Sequence, residues 1–266
     1  MAARPTWTGT ISFALLSVPV KLFTATRPKD ISFNQLEKST QKRIKQKRVS
    51  GETGEEVTAE DIVKGYDLGG GRYVLINDDE LDALAPTNAN NEKIIQILDF
   101  VSLPDIDPVY FEKAYYIAPD KGGARAYGLL VRALASAQKV AIAKVVMRSK
   151  EYLTAIRPMG DVLCMETMMY ADEVVPVTDI DELANLTIDV NEKELDMAKM
   201  LIESSTGEFE PEKYKDDYRD KVLALIEAKA AGTTFEIPKV AESAPVVDLM
   251  AALEASLAAA KTKKSA

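Results

Sequence analysis

Up to about residue 175, apolar residues come in short runs separated by Gly, Pro, Asp and Asn, and only one stretch carries a helical period. Residues 7–24 read as strand, with Thr8, Thr10, Ile11, Phe13, Val18, Val20, Leu22 and Phe23 β-branched or β-favouring and Pro19 marking an edge or bulge. Residues 31–36 are a second strand candidate. Residues 72–76, after the turn Gly69-Gly70-Gly71, are a third. Residues 92–100 alternate, with Ile95 and Ile97 against Gln96. Residues 110–118, 140–148, 151–157 and 162–170 complete the set. The helix is 124–136, where Tyr127, Leu130, Val131 and Leu134 share a face. Many short strands and one helix predict a sandwich or barrel.

After Pro176 the pattern turns helical. Asn191 and Glu194 read as a capping pair for a helix over 191–205. Pro211 opens and Gly232 closes another over 211–231. Residues 233–245 read as linker. A third helix, 246–260, aligns Val246, Leu249, Met250, Leu253 and Leu257 in one stripe. The expected organisation is a β-rich body over 1–178, a helical arm over 179–232, the linker, and a terminal helix with a short basic tail over 246–266.

One segment fits no core. In 41–49 (QKRIKQKRV), a strand would send Lys42, Ile44, Gln46 and Arg48 to one side and Arg43, Lys45, Lys47 and Val49 to the other. Both faces are mostly charged. Gly51-Glu52-Thr53-Gly54 reads as a hairpin turn, and 55–58 as the start of a return strand. Eight residues at about 3.3 Å each reach about 26 Å, comparable to the width of a duplex. The residues allow either a basic ribbon leaving the body, over roughly 38–76, or a solvated basic loop.

Net charge is −9, but it is segregated. Residues 1–50 hold 10 Lys and Arg against 2 Asp and Glu, a balance of +8; residues 51–100 hold 3 against 12, a balance of −9. A local basic surface survives on an acidic chain because salt screens charges beyond roughly 8–10 Å. The alternative is a set of solvated faces of mixed sign. Absence of histidine excludes imidazole acid–base catalysis and His-ligated metals. A single cysteine, Cys164, excludes an intrachain disulfide. The N-terminus does not read as a secretory signal, and no apolar run approaches membrane-span length, so an intracellular location is expected. Asp78-Asp79-Glu80 reads as the acidic first turn of a short helix. With Asp105 and Asp107 it also supplies the alternative of a Mg²⁺-dependent nuclease or hydrolase.

Trp7-Thr8-Gly9-Thr10-Ile11-Ser12-Phe13 followed by Val18-Pro19-Val20-Lys21-Leu22-Phe23 closely resembles the opening of bacterial Ku proteins. Further matches follow in order: Ile62-Val63-Lys64-Gly65-Tyr66, Ile106-Asp107-Pro108-Val109-Tyr110-Phe111, Tyr115-Tyr116-Ile117-Ala118-Pro119-Asp120, Leu153-Thr154-Ala155-Ile156-Arg157-Pro158 and Val247-Asp248-Leu249-Met250. The resemblance covers nearly the whole chain. It implies a non-enzymatic, cytoplasmic, nucleoid-associated protein of non-homologous end joining with a Ku-like β-barrel and helical C-terminal arm. The implied form is a homodimeric ring threaded on double-stranded DNA ends, recruiting the multifunctional ATP-dependent DNA ligase, with no cofactor. Ser50 and Thr53 stand where some members carry a cysteine pair, so no metal is expected there.

The charge pattern names Lys42, Arg43, Lys45, Lys47 and Arg48 as phosphate contacts, with Arg27 and Lys29 at the ribbon's base and Arg125, Arg132, Lys144 and Arg148 as a second tier. Such contacts carry no sequence information. Leu195, Leu201, Ile202, Tyr214, Tyr218 and Val222 are candidates for dimerisation, the alternative being that their helices pack on their own barrel. The 246–257 stripe is a candidate partner-docking helix.

Overall fold

Among the described residues there are nine strands, and seven of them close into a barrel. The computed structural model describes residues 4–84, 93–148, 150–184, 186–233, 250, 253, 254 and 256. The strands are β1 (Trp7–Phe13), β2 (Leu16–Thr24), β3 (Lys64–Asp67), β4 (Tyr73–Ile76), β5 (Ile94–Val101), β6 (Phe111–Pro119), β7 (Val140–Met147), β8 (Lys150–Met159) and β9 (Val162–Met168). The closed barrel runs β1-β2-β6-β9-β8-β7-β5, and β3 pairs with β4 separately. Every ladder in the barrel is antiparallel except β1 with β5, a short parallel register of Thr10, Ile11 and Ser12 on Ile94, Ile95 and Gln96.

The barrel strands bury one face in a shared core. Ile11, Val18, Val20, Leu22, Ile95, Ile117, Val145, Ile156, Leu163 and Met165 are almost fully enclosed. The helix α2 (Ala124–Ala137; α1 is Asp78–Ala83) adds Tyr127, Leu130, Val131 and Leu134 to that core. Its position is fixed by one hydroxyl. Tyr127 donates to the Ile117 carbonyl (2.7 Å) and accepts from the Leu163 amide (2.9 Å). This seats α2 over the end of the barrel where β6 finishes and β9 begins. At the opposite end, the Trp7 indole donates to the Val146 carbonyl (3.2 Å) and its ring lies across Gly9. A Cβ at Gly9 would meet the Lys93 carbonyl at 2.2 Å and the Trp7 ring at 2.4 Å, so only glycine fits there.

Residues 7–24 are a hairpin rather than one strand. The chain reverses at Ala14, which takes a φ of 50°. Pro19 sits where the ladder to β6 ends, and its carbonyl accepts from the Asp120 amide. Residues 31–36 form no strand; they contribute one isolated bridge, Leu36 to Arg43.

The second helical region differs from its reading in one place. Pro211 opens only a 3₁₀ turn (Pro211–Lys213), and α5 (Asp217–Ala230) begins after Asp216, whose carboxylate accepts from the Arg219 amide. Tyr214 is therefore off the helix, stacked on Phe209 with ring centroids 5.5 Å apart. Asn191 caps α4 (Glu192–Ser205) through the Lys193 amide, not the Glu194 amide that a capping box uses. A short α3 (Asp181–Ala184) precedes it. The described residues divide into two units, Met1–Lys29 with Phe33–Pro176, and Asp30–Ser32 with Val177–Ala266. Of the terminal helix, Val246, Leu249 and Leu257 lie outside the described residues; Met250 and Leu253 are helical and half-buried.

Tyr127→Phe leaves the Leu163 amide without its acceptor inside the fold. The expected loss is about 1–3 kcal/mol of unfolding free energy, read by urea denaturation.

Candidate nucleic-acid interface

The basic segment 41–49 is exposed along its length and takes part in two isolated bridges, Leu36 to Arg43 and Val49 to Glu56, with Gln41 at a φ of 55°. It does not form the expected continuous strand, and neither does 55–58. With charge on both faces it offers no apolar cross-strand pairs to hold a ladder. The turn is as read: the Ser50 amide donates to Glu55, the Gly54 amide to Ser50, and Gly54 takes a φ of 71°. Beyond it, β3 and β4 make a hairpin across Gly69, Gly70 and Gly71, with Tyr66 and Leu75 about two-thirds exposed.

Within the basic segment the cations are not equivalent. Lys47 pairs with Glu56 at 2.6 Å, and the Arg43 guanidinium donates to the Asn34 side chain. The side chains of Lys42, Lys45 and Arg48 have no partner among the described residues. Three side chains thus present unneutralised charge to solvent.

The other candidates fall into separate places. Arg27 and Lys29 share a groove of about 910 Å³ with Arg4, Lys113 and Glu112. Arg125 and Arg132 lie on the outer face of α2 with Gly128 and Leu129, along a groove of about 650 Å³. Lys144 is already occupied, paired with Glu151 at 2.8 Å and 5.7 Å from the centroid of the Tyr170 ring. That pairing, together with the Tyr170 hydroxyl, holds the Glu151 carboxyl below its ordinary range. Arg148 sits at the barrel mouth with Lys64 and Lys93. Lys64, Lys93, Arg4 and Lys113 escaped sequence reasoning, since each is a lone cation near a strand that acquires neighbours only through sheet register.

Of the five carboxylates of the nuclease alternative, Asp78, Glu80, Asp105 and Asp107 are engaged locally. Asp78 pairs with Lys64, Glu80 accepts from the Asn77 amide, Asp105 from the Ser102 amide and Asp107 from the Val109 amide. Asp78–Glu80 do form the first turn of α1, as read. Among the described residues no group of three or more Cys, Asp or Glu is placed to hold a metal ion. Burial, with Glu166 beside it, pushes the Cys164 thiol up to about 11. Glu166 itself is tied to Arg157 by bonds of 2.8 and 2.9 Å, a cross-strand pair between β8 and β9.

The described residues of the second unit include none that is buried. Leu195, Ile202, Tyr214 and Tyr218 are exposed, and Leu201 and Val222 half-buried. Among the described residues no helix is long and apolar enough to cross a membrane.

The described residues thus define a closed seven-strand β-barrel protein with a long insertion between β2 and β5 that carries the basic run 41–49. The family model described as the Ku70/Ku80 beta-barrel domain matches residues 12–197. Three bacterial relatives bear the name Non-homologous end joining protein Ku. The one from Symbiobacterium thermophilum is 43% identical over 100% of this chain, which spans 65% of that relative's length. The one from Heliobacterium modesticaldum is 40% identical over 99% of this chain and 95% of its own. The one from Koribacter versatilis is 43% identical over 98% and 88%. The chain belongs to the Ku family.

Because the side chains of Lys42, Lys45 and Arg48 are exposed and make no hydrogen bond or ion pair among the described residues, replacing all three with Ala should leave the unfolding free energy within about 0.5 kcal/mol of the parent per site, as read by thermal or urea denaturation.

Proposed function

We propose that the protein binds double-stranded DNA ends without reading their sequence, as a homodimeric ring, and recruits the end-joining DNA ligase at the bacterial nucleoid. The observation that carries this is the exposed basic segment with three unpaired cations in a chain of the Ku family. Cations with no protein partner are available to phosphate, and phosphate contacts hold a duplex of any sequence. On this reading Lys42, Arg43, Lys45, Lys47 and Arg48 track the backbone, Arg27 and Lys29 flank them, and Arg125, Arg132, Lys144 and Arg148 supply weaker contacts, Lys144 only by releasing Glu151.

Dimerisation is supported by the second unit. Its α4 and α5 bury no described residue, yet they carry Leu195, Ile202 and Tyr218 on their surfaces. Apolar helices of this kind are covered in the working state, and a second copy is the cover proposed. The ligase contact is assigned to the 246–257 stripe, Val246, Leu249, Met250, Leu253 and Leu257. The protein acts as a scaffold and not as an enzyme.

The deciding experiment compares linear with closed circular duplex in a gel shift. Linear fragments should bind and circles should not compete; equal competition by circles overturns end binding. With about six phosphate contacts, affinity should fall on the order of 10³-fold between 50 and 200 mM salt. Alanine at Lys42, Arg43, Lys45, Lys47 and Arg48 should weaken binding to all sequences alike, whereas unchanged affinity removes the arm from the interface. Deleting 246–266 should spare DNA binding and dimer mass by sedimentation while lowering ligase stimulation.

A further inference from the structure

The barrel mouth opposite α2 holds a cavity of about 620 Å³ whose lining includes Arg148, Lys93, Lys64, Asp78, Tyr115 and Tyr152. That is the size of a small-molecule site, in one of the places where barrels form them. Lys64 is neutralised by Asp78 at 2.5 Å. The side chains of Arg148 and Lys93 have no hydrogen-bond or ion-pair partner among the described residues, so the cavity keeps a positive excess.

Arg148 and Ser149 alone connect β7 to β8, and Arg148 takes a φ of 53°. Tight hairpin turns favour asparagine or glycine in that conformation. The conformation is not peculiar to Arg148: Ala14 takes a φ of 50° in the equally short β1–β2 turn. Burial, with Tyr152 beside it, raises the Tyr115 phenol, which therefore remains a protonated donor well above neutral pH.

We propose that this mouth binds a nucleoside monophosphate, its phosphate held by Arg148 and Lys93 and its base entering beside Tyr115 and Tyr152, whose rings already carry Lys113 at 5.7 Å and Lys150 at 5.2 Å from their centroids. A guanidinium matches phosphate with two parallel hydrogen bonds, and aromatic rings accept any base. Two sources share this chemistry: a free nucleotide, and the unpaired phosphorylated terminal nucleotide of a DNA strand. The cavity is lined by no residue of 41–49, so the site stands apart from the proposed grip of the arm on duplex DNA.

The test uses the full chain with Arg148→Asn and Lys93→Gln. Calorimetric titration with dAMP, and with deoxyadenosine as control, reads the free nucleotide. Duplexes with a 5′-phosphorylated overhang, an unphosphorylated overhang and a blunt end read the strand end. Arg148→Asn should keep or raise the melting temperature, because asparagine suits the turn. Both variants should weaken dAMP binding by about tenfold or more, the worth of a charge-assisted contact. If the strand end is the source, the affinity gained from the overhang phosphate disappears in Lys93→Gln while its blunt duplex binding is unchanged. dAMP binding without any overhang gain supports the free nucleotide. The proposal is overturned if the parent binds neither dAMP nor the phosphorylated overhang preferentially, or if Arg148→Asn retains both. An equal loss on blunt and overhang duplex in Lys93→Gln also overturns it, making Lys93 a general backbone contact. Retained dAMP binding in the arm variant that loses duplex separates this site from the end-binding reading.

Discussion

The parallel contact between β1 and β5 carries the architecture. Three residues of each strand close the barrel, Thr10, Ile11 and Ser12 on Ile94, Ile95 and Gln96. Parallel neighbours cannot be joined by a tight turn and need a long connection. Here the connection includes β2 and then the whole stretch from Ala25 to Lys93, which holds the basic segment and the β3–β4 hairpin. Closure also removes free sheet edges from the body. The inserted chain therefore has no barrel edge to join, and it stays exposed for the same reason that the barrel is complete.

Exposure has a cost that the arm's own contacts do not offset. A lone two-stranded hairpin is marginal in water, and β3–β4 leaves Tyr66, Tyr73 and Leu75 largely in solvent. The basic segment has only two isolated bridges. Both keep large apolar or charged surfaces where a self-sufficient domain of this size would bury or pair them. The second unit repeats the pattern with helices in place of strands. On the proposed reading, the surfaces left uncovered among the described residues are those that DNA and a second copy cover.

Most of the barrel was legible because its strands are bounded by strong turn residues and alternate cleanly, as Ile95, Gln96 and Ile97 do. The helix face of Tyr127, Leu130, Val131 and Leu134 was legible for the same reason, being set by local period. What escaped depends on partners distant in sequence. The Ala14 reversal needed a non-glycine residue at positive φ, which composition does not announce. Residues 31–36 carry strand-like side chains but find no edge, so propensity yields to topology. The start of α5 moved from Pro211 to Asp217 because Asp216 provides a real cap, whereas Pro211 only fits a first turn. Within the candidate interface, the charge run at 41–49 was visible. The pairing that leaves Lys42, Lys45 and Arg48 free while engaging Arg43 and Lys47 was not, since it is decided by Asn34 and Glu56 across the arm. The gathering of Lys64 and Lys93 beside Arg148 follows from closure and was out of reach of any local pattern.

On the proposed reading, affinity and end selectivity come from different physics. Free lysines and arginines attract any duplex, internal or terminal, and the strength of that attraction is set by salt. Nothing in such contacts distinguishes an end. Selectivity must come from topology: a ring completed by a second copy admits DNA only where the duplex stops. The acidic balance elsewhere in the chain then matters, because at −9 overall the outer surfaces repel the polyanion that the arm attracts. A uniformly basic protein of the same fold would hold DNA along its outside and lose the advantage of the opening. Segregating +8 into the first fifty residues of an acidic chain lets charge supply the grip while shape supplies the choice.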